Sequence, residues 1–110
     1  MKTIYISGPI SHYDLEERKA AFAEVENILK AYGYVCVNPM KNGLPETLHW
    51  SHHMRVDLGL LLGCDAIYMM QGWQKSKGCK LELDVATTIG LQVFLRRFLI
   101  TASKTQCSSS

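Results

Sequence analysis

Short apolar runs alternate along the chain with longer segments whose apolar residues recur every three or four positions. The apolar runs predict four β-strands, at residues 2–7, 34–37, 65–70 and 91–95. The helical spacing predicts three α-helices, at residues 13–32, 50–63 and 78–89. The polar or Gly- and Pro-containing segments between them predict two longer loops, at residues 38–49 and 71–77.

This regular alternation predicts an α/β fold, with a parallel sheet of four to five strands covered by helices on both faces. In such sheets, ligands bind beyond the carboxyl ends of the strands. In this chain those ends lead into the sequence Ser7-Gly8-Pro9 and into the two loops at 38–49 and 71–77. Residues that carry chemistry are therefore expected in or next to these three connections.

Length and composition indicate a single globular domain. The chain has 110 residues, and we expect the domain to cover residues 1–100 and the serine-rich segment 101–110 to be a disordered tail. The longest apolar run, 58–70, is interrupted by Asp65 and is too short to span a bilayer, so no membrane is expected as a partner. A net charge of +2 with scattered basic residues does not indicate a nucleic-acid surface.

The cysteines and the amino-terminal sequence predict a cytoplasmic location. No pair of the four cysteines has metal-ligand spacing, and we interpret them as reduced thiols, mostly buried: Cys36, Cys64, Cys79 and Cys107. The first residues lead directly into a predicted strand and lack the pattern of a secretory signal.

The third predicted helix carries a carboxylate on the face expected to cover the sheet. At about 100° per residue, Glu82 shares its direction with three apolar residues, Val85, Ala86 and Ile89. The charged residues Lys80 and Asp84 fall on the opposite face. A carboxylate on an apolar face costs on the order of several kcal/mol unless it is compensated, which favours a functional role. The alternative is that Glu82 only complements the positive end of the helix dipole.

The second predicted helix is apolar on nearly all sides, and Asp57 is its only acidic residue. Asp57 lies three positions after Met54 and four before Leu61, so it too falls among apolar side chains. Two carboxylates on helices that enter one cleft suit glycosidic chemistry, one as nucleophile or base and one for the proton of the leaving group. The alternative is a structural ion pair of Asp57 with Arg55 or His53.

Two connections have features of ligand-binding loops. The first is Ser7-Gly8-Pro9 at the end of the first strand, where backbone N–H groups are placed to bind an anion or a sugar. The alternative is that this segment is an ordinary tight turn. Ser76, Lys77 and Gly78 precede the third helix, where they either cap the helix or hold a phosphate. The histidines at 49, 52 and 53 lack a further ligand at a suitable spacing, so no metal is expected.

Together these residues resemble the nucleoside 2-deoxyribosyltransferase superfamily, most of all its small phage-borne or bacterial members of unassigned function. The resemblance covers residues 1 to about 95. It rests on the order and spacing of four segments: Lys2-Thr-Ile-Tyr5-Ile-Ser-Gly-Pro, Arg55-Val-Asp57-Leu, Asp65 at the start of a strand, and Ser76-Lys-Gly78-x-x-x-Glu82-x-x-x-Ala86-x-x-x-Gly90.

The resemblance implies a flavodoxin-like fold and cleavage of the N-glycosidic bond of a 2′-deoxynucleoside or its 5′-monophosphate, without a cofactor. Glu82 falls on the position of the family's nucleophile. Asp57 falls on the acid that contacts sugar or base and assists proton transfer, and Tyr5 on a tyrosine that hydrogen-bonds near the nucleophile. Members of the superfamily also associate through the second helix, so we expect a homodimer or higher homo-oligomer.

One position separates branches of the superfamily. Two residues before Gly78, transferases acting on free nucleosides tend to carry Asp, whereas this chain has Ser76, as do related nucleoside-monophosphate hydrolases. An aspartate there repels a 5′-phosphate, and Ser76 and Lys77 attract one. The chain also departs from the transferases after Phe94, where we find no counterpart of the polar residues that they contribute to a neighbouring subunit's site.

The sequence thus supports three hypotheses of different kinds. The first is an enzyme that cleaves the N-glycosidic bond through Glu82, by transfer to a second base or by hydrolysis. The second is a non-catalytic module that binds a nucleotide in the same cleft, which the departure after Phe94 favours. The third is a structural protein that uses only the fold.

Overall fold

A computed structural model describes residues 2–95, and each helix and strand in it ends within two residues of its predicted bounds. The strands are β1 (Thr3–Ser7), β2 (Val35–Val37), β3 (Ala66–Met69) and β4 (Gln92–Leu95). The helices are α1 (Leu15–Ala31), α2 (Trp50–Leu62) and α3 (Lys77–Thr88). Each predicted loop contains a short 3-10 turn, at Pro39–Lys41 and Trp73–Lys75. The predicted tail, 101–110, lies outside the described residues, and the domain boundary at 100 stays a prediction.

The four strands form one parallel sheet in the order β2-β1-β3-β4, which confirms the predicted α/β fold. The chain moves outward from β1 to β2 on one side and then crosses back to β3 on the other. The point where the strand order reverses, between β1 and β3, is where sheets of this kind bind ligands. The carboxyl ends of β1 and β3 are therefore the place to examine for a site.

Alternation along β1 divides its side chains between two cores. Ile4 and Ile6 pack in one buried cluster with Phe22 and Leu29 of α1. The other face of the sheet packs against α2 and α3, in a cluster of Tyr5, Leu61, Cys64, Ile67, Met69, Cys79 and Ala86. Ser7 lies two residues after Tyr5 and therefore faces the same side, toward α3.

The buried face of α3 agrees with the prediction except at its end. Glu82 is 5% exposed and Ala86 is fully buried, whereas Lys80 and Asp84 are exposed. Ile89 was expected on the buried face, but 47% of it is exposed. The reason is that α3 ends at Thr88, so Ile89 is the C-cap and no longer follows the helical spacing.

The thiols in the described part of the chain are free. Cys64 and Cys79 are buried, as predicted, whereas Cys36 in β2 is only half-buried; Cys107 lies outside the described residues. The cytoplasmic location inferred from these thiols stays a prediction. Among residues 2–95, no helix has both the length and the apolar character needed to cross a membrane.

Candidate functional site

The Glu82 carboxylate accepts a hydrogen bond on each of its two oxygens. Tyr5 Oη donates to Oε2 over 2.5 Å, and Ser7 Oγ donates to Oε1 over 2.7 Å. All three side chains are almost fully buried. The carboxylate is thus held in one orientation at the carboxyl end of β1 and at the point where α3 faces the sheet.

Local sequence explains this arrangement. Tyr5 and Ser7 are two residues apart in a strand, so their hydroxyls project from the same face of β1. Gly8 then lets the chain turn away beside Met70, because a Cβ at residue 8 would lie 2.5 Å from the Met70 sulfur. A larger residue at position 8 would force the neighbouring side chains to shift.

The environment of Glu82 favours the protonated carboxyl group. Burial raises the pKa of Glu82 to about 7, and the nearby charge of Asp57 acts in the same direction. The hydrogen bonds from Tyr5 and Ser7 stabilise the ionised form and offset part of this rise. Burial, followed by the charges of Glu82 and Asp57, raises the pKa of Tyr5, so that Tyr5 remains a neutral hydrogen-bond donor. Glu82 is therefore a carboxylate that titrates near neutral pH.

Asp57 of α2 lines the same cleft and is 5% exposed. Asn42, in the loop between β2 and α2, donates from Nδ2 to Asp57 Oδ1 over 3.0 Å. Burial raises the pKa of Asp57, while this hydrogen bond, and the charge of His53 when its ring is protonated, oppose the rise. Of the two partners considered from sequence, Arg55 makes no ion pair with Asp57 within the described part of the chain, and His53 is linked to it through Asn42.

The start of α3 forms the rim of the cleft. Ser76 is the N-cap, and its Oγ accepts a hydrogen bond from the N–H of Cys79 over 3.2 Å. Gly78 packs closely on α2, since a Cβ there would lie 3.2 Å from the Met54 sulfur. The ammonium group of Lys77 lies over the Trp50 ring, 5.0 Å from its centroid, rather than in the cleft. Capping by Ser76 is thus present, and the same hydroxyl also interacts with the Cys79 thiol.

The cleft has a volume of about 310 Å³, enough for a small organic ligand. Six of the nine predicted site residues belong to its lining: Tyr5, Gly8, Asp57, Ser76, Gly78 and Glu82. An adjoining cavity of about 480 Å³ shares Ser76 and Gly78 with it and is also lined by Pro9 and Lys77. Ser7 reaches the site through its hydrogen bond to Glu82. The structure therefore brings all nine predicted residues into one region.

Two of the three histidines near α2, His49 and His53, have structural partners. His49 caps α2, with Nδ1 accepting from the N–H of Ser51 over 3.1 Å. His53 contacts Asn42 and the carbonyl oxygen of Pro45. Among residues 2–95 there is no group of three or more His, Cys, Asp or Glu side chains placed to hold a metal ion.

Comparison with known proteins places the chain in a family. A family model described as a domain of unknown function, DUF4406, matches residues 2–95. The chain belongs to the DUF4406 family. No curated protein sequence matches this DUF4406 protein.

Solved structures of two enzymes share the fold of this DUF4406 protein. A 2-deoxyribosyltransferase from Bacillus psychrosaccharolyticus, described as a biocatalyst for nucleoside synthesis, superimposes with a TM-score of 0.66 at 21% identity over 84% of this chain. A 2-deoxyribosyltransferase from Leishmania mexicana superimposes with a TM-score of 0.66 at 25% identity over 86% of this chain. The chain spans 70% and 63% of those two proteins. These findings confirm the fold that the resemblance to the 2-deoxyribosyltransferases implied.

Two polar residues near the site of this DUF4406 protein are not among those singled out from sequence. Asn42 contacts Asp57, and Glu26 of α1 is buried beneath the loop that carries Asn42. Glu26 accepts from Asn38 Nδ2 over 3.0 Å and pairs with Lys30 over 2.8 Å and Lys41 over 3.3 Å. The pKa of Glu26 is lowered to about 2, mainly by Lys30 and also by Asn38 and Lys41. Glu26 thereby ties this loop to α1.

Proposed function

We propose that the protein cleaves the N-glycosidic bond of 2′-deoxynucleosides or their 5′-monophosphates, with Glu82 as the nucleophile. The observation that carries the proposal is the buried Glu82 carboxylate, held by two hydroxyl groups in a cleft that also contains Asp57. The shared fold with two 2-deoxyribosyltransferases supports the same substrate class. This chemistry needs no cofactor.

The reaction proceeds through two displacements at C1′ of the deoxyribose. The ionised Glu82 attacks C1′, the bond from C1′ to the base nitrogen breaks, and Asp57 gives a proton to the departing base. Water or a second base then attacks C1′, which releases the Glu82 carboxylate and passes a proton back to Asp57. The raised pKa of Asp57 suits this role, because the group must hold a proton in order to donate it.

Tyr5 and Ser7 keep Glu82 ready for attack. Their hydroxyl groups orient both carboxylate oxygens and stabilise the ionised form that serves as nucleophile. When one oxygen bonds to C1′, the hydroxyl at the other still holds the group in place. With a pKa of about 7, Glu82 is partly ionised at neutral pH, so the nucleophilic form is populated.

Cys79 is another nucleophilic side chain in the cleft lining, and its environment suits it less to attack. Burial raises the pKa of the Cys79 thiol, and the charge of Glu82 raises it further, while Ser76 and Ser7 oppose the rise. A thiol with a raised pKa remains protonated at neutral pH and is a poor nucleophile. This difference favours Glu82 as the attacking group.

Incubation with a panel of deoxynucleosides and their 5′-monophosphates, followed by chromatography for free base, tests the proposal. We expect base release that depends on the 2′-deoxy sugar. Binding of these compounds without base release from any of them would instead support the non-catalytic nucleotide-binding module.

For the form of the substrate, we favour the 5′-monophosphate. The first intrahelical hydrogen bond of α3 runs from Lys80 N to Ser76 O, so the N–H groups of Lys77 and Gly78 precede it and face no helical acceptor. With the Ser76 hydroxyl, they form a set of donors at a helix N-terminus beside the cleft. The charge of Lys77 adds a favourable field from the adjoining cavity. A phosphate on the sugar has suitable donors here.

Substitution of Ser76 by aspartate should remove a preference for monophosphates. Charge-assisted hydrogen bonds contribute on the order of 1.5–3 kcal/mol each before solvent screening, so roughly tenfold tighter binding of the monophosphate should survive in the wild type. Aspartate still caps α3 but repels the phosphate, whereas Ser76→Asn keeps the cap without a charge. Calorimetric titration of a deoxynucleoside and its monophosphate measures the preference in all three proteins. Equal affinities in the wild type, or a preference that survives in Ser76→Asp, would contradict this assignment.

We also propose that the protein forms a homo-oligomer through α2. Two leucines of this helix point away from the core, Leu60 with 38% and Leu62 with 58% of their surfaces exposed. Leu81 of α3, the helix that contacts α2 on the same face of the sheet, is also 38% exposed. Apolar side chains on adjoining helices favour burial against a second copy of the chain.

Introducing charge on α2 should dissociate the oligomer. We expect sedimentation at micromolar concentration to give a mass above that of one chain for the wild type and the mass of one chain for Leu60→Glu/Leu62→Glu. Ile28→Glu is the matched control, because Ile28 is similarly exposed but lies on α1, across the sheet. A monomeric wild type would rule out this interface.

A further inference from the structure

Asn42 links Asp57, the proton donor of the proposed mechanism, to His53, which that mechanism does not use. Its Nδ2 donates to Asp57 Oδ1 over 3.0 Å and lies 3.1 Å from Nδ1 of His53. The amide has two N–H bonds, which is the number needed to serve both acceptors. Asn42 and Asp57 both line the cleft that contains Glu82.

The surrounding hydrogen bonds fix the direction of this link. Asn42 Oδ1 accepts from the N–H of Leu44 over 3.0 Å, so the amide nitrogen must face Asp57 and His53. His53 Nε2 lies 3.0 Å from the carbonyl oxygen of Pro45, which only accepts, so Nε2 carries the hydrogen. In the neutral ring Nδ1 is then an acceptor, as the second N–H of Asn42 requires.

The loop that carries Asn42 is held from its other side as well. Asn38, at its start, is buried and donates to Glu26 of α1 over 3.0 Å. Lys41, the residue before Asn42, pairs with the same carboxylate over 3.3 Å. The amide of Asn42 therefore presents a fixed donor, since its backbone is anchored to α1 and its side chain to α2.

The link leaves the two oxygens of Asp57 unequal. Oδ1 is occupied by the Asn42 donor, whereas no other group among residues 2–95 hydrogen-bonds to Oδ2. An oxygen that accepts an N–H bond is the poorer site for a proton, so a proton bound by Asp57 lies on Oδ2. We propose that Asn42, supported by His53, is a positioning residue that directs the proton of Asp57 to Oδ2, the oxygen left to meet the departing base.

This inference rests on the proposed N-glycosidic cleavage, and it makes Asn42 and His53 act as one unit. Replacing Asn42 by alanine should lower kcat roughly tenfold, as expected when one hydrogen bond that orients the protonated Asp57 is lost, with a smaller effect on KM. Asn42→Asp, which has the same shape but cannot donate to Asp57, should show a loss at least as large. Thr47→Ala, an exposed residue of the same loop outside the cleft lining, is the matched control.

Two further readouts separate positioning from folding. NMR titration of the Asp57 side-chain carboxyl carbon should give a higher pKa in Asn42→Ala than in the wild type or Thr47→Ala, since a donor to the carboxylate has been removed. In the double variant Asn42→Ala/His53→Phe, kcat should match that of Asn42→Ala alone, because His53 acts through Asn42.

An Asp57 titration that is the same in Asn42→Ala and Thr47→Ala would overturn the inference, as would a kcat within twofold of the control. A kcat that is clearly lower in the double variant than in Asn42→Ala would show that His53 does not act through Asn42. The titration requires no substrate. A wild type that releases no base therefore counts against the proposed function, while the carboxyl titration still decides whether Asn42 controls Asp57.

Discussion

Replacing Glu82 by glutamine should abolish base release while the protein stays folded. Glutamine has nearly the same shape as glutamate. Its amide oxygen accepts a hydrogen bond from one hydroxyl group and its N–H donates to the other, so the number of hydrogen bonds with Tyr5 and Ser7 is unchanged. Its amide is not a nucleophile toward C1′, so the rate should fall by more than roughly a thousandfold. Chromatographic assay of free base, with circular dichroism to report on the fold, measures both parts.

The matched control is Asp84→Asn, which neutralises an exposed carboxylate on the opposite face of α3 and should leave the rate unchanged. Glutamine is preferable to alanine, because alanine would leave two buried hydroxyl groups without an acceptor. Base release by Glu82→Gln close to the wild-type rate would mean that another group attacks the sugar. Loss of the fold would mean that Glu82 is structural.

The wild type should lose stability relative to Glu82→Gln as the pH rises from 5 to 8. The pKa of Glu82 is raised from 4.5 to about 7 on folding, so the unfolded chain releases its proton first. The stability that comes from the protonated form is complete below the unfolded pKa and is lost as pH rises through the folded pKa. A shift of this size corresponds to roughly 3 kcal/mol, and glutamine removes the dependence.

Urea denaturation of both proteins at several pH values measures the difference in the free energy of unfolding. The other strongly shifted carboxylate, Glu26, has a pKa of about 2 and stays ionised across this range, so its contribution is constant and cancels between the two proteins. A difference that does not change between pH 5 and 8 would show that Glu82 is ionised throughout in the folded protein, and that its burial is better compensated than we infer.

Sequence was sufficient to predict those features that depend on local periodicity. The strands and helices followed from apolar spacing, and Glu82 was identified because it shares a helix face with Ala86. The pairing of Tyr5 with Ser7 on one face of β1 is likewise a consequence of strand alternation. Parallel topology then places all three side chains at the same edge of the sheet.

Features that depend on contacts between distant segments were not predicted. Asn42 lies in an irregular loop, where no periodicity indicates that its amide meets Asp57, 15 residues further on. Lys77 was expected at the helix N-terminus, but attraction to the Trp50 ring holds its ammonium group elsewhere. Glu26, in contrast, could be predicted from sequence. It lies at helical spacing between Phe22 and Leu29, so it is a carboxylate on the apolar face of its helix, which is the criterion that selected Glu82.

The most direct test of Glu82 as a glycosyl nucleophile is to look for the covalent intermediate. The protein is mixed with a deoxynucleoside monophosphate, quenched in acid within the first turnover, digested and examined by mass spectrometry. We expect one peptide, the one that contains Glu82, to carry a single deoxyribosyl phosphate unit, and we expect the modification to be absent from Glu82→Gln. Rapid release of free base with no sugar on Glu82 at any quench time, or a sugar attached to another residue, would contradict the assignment.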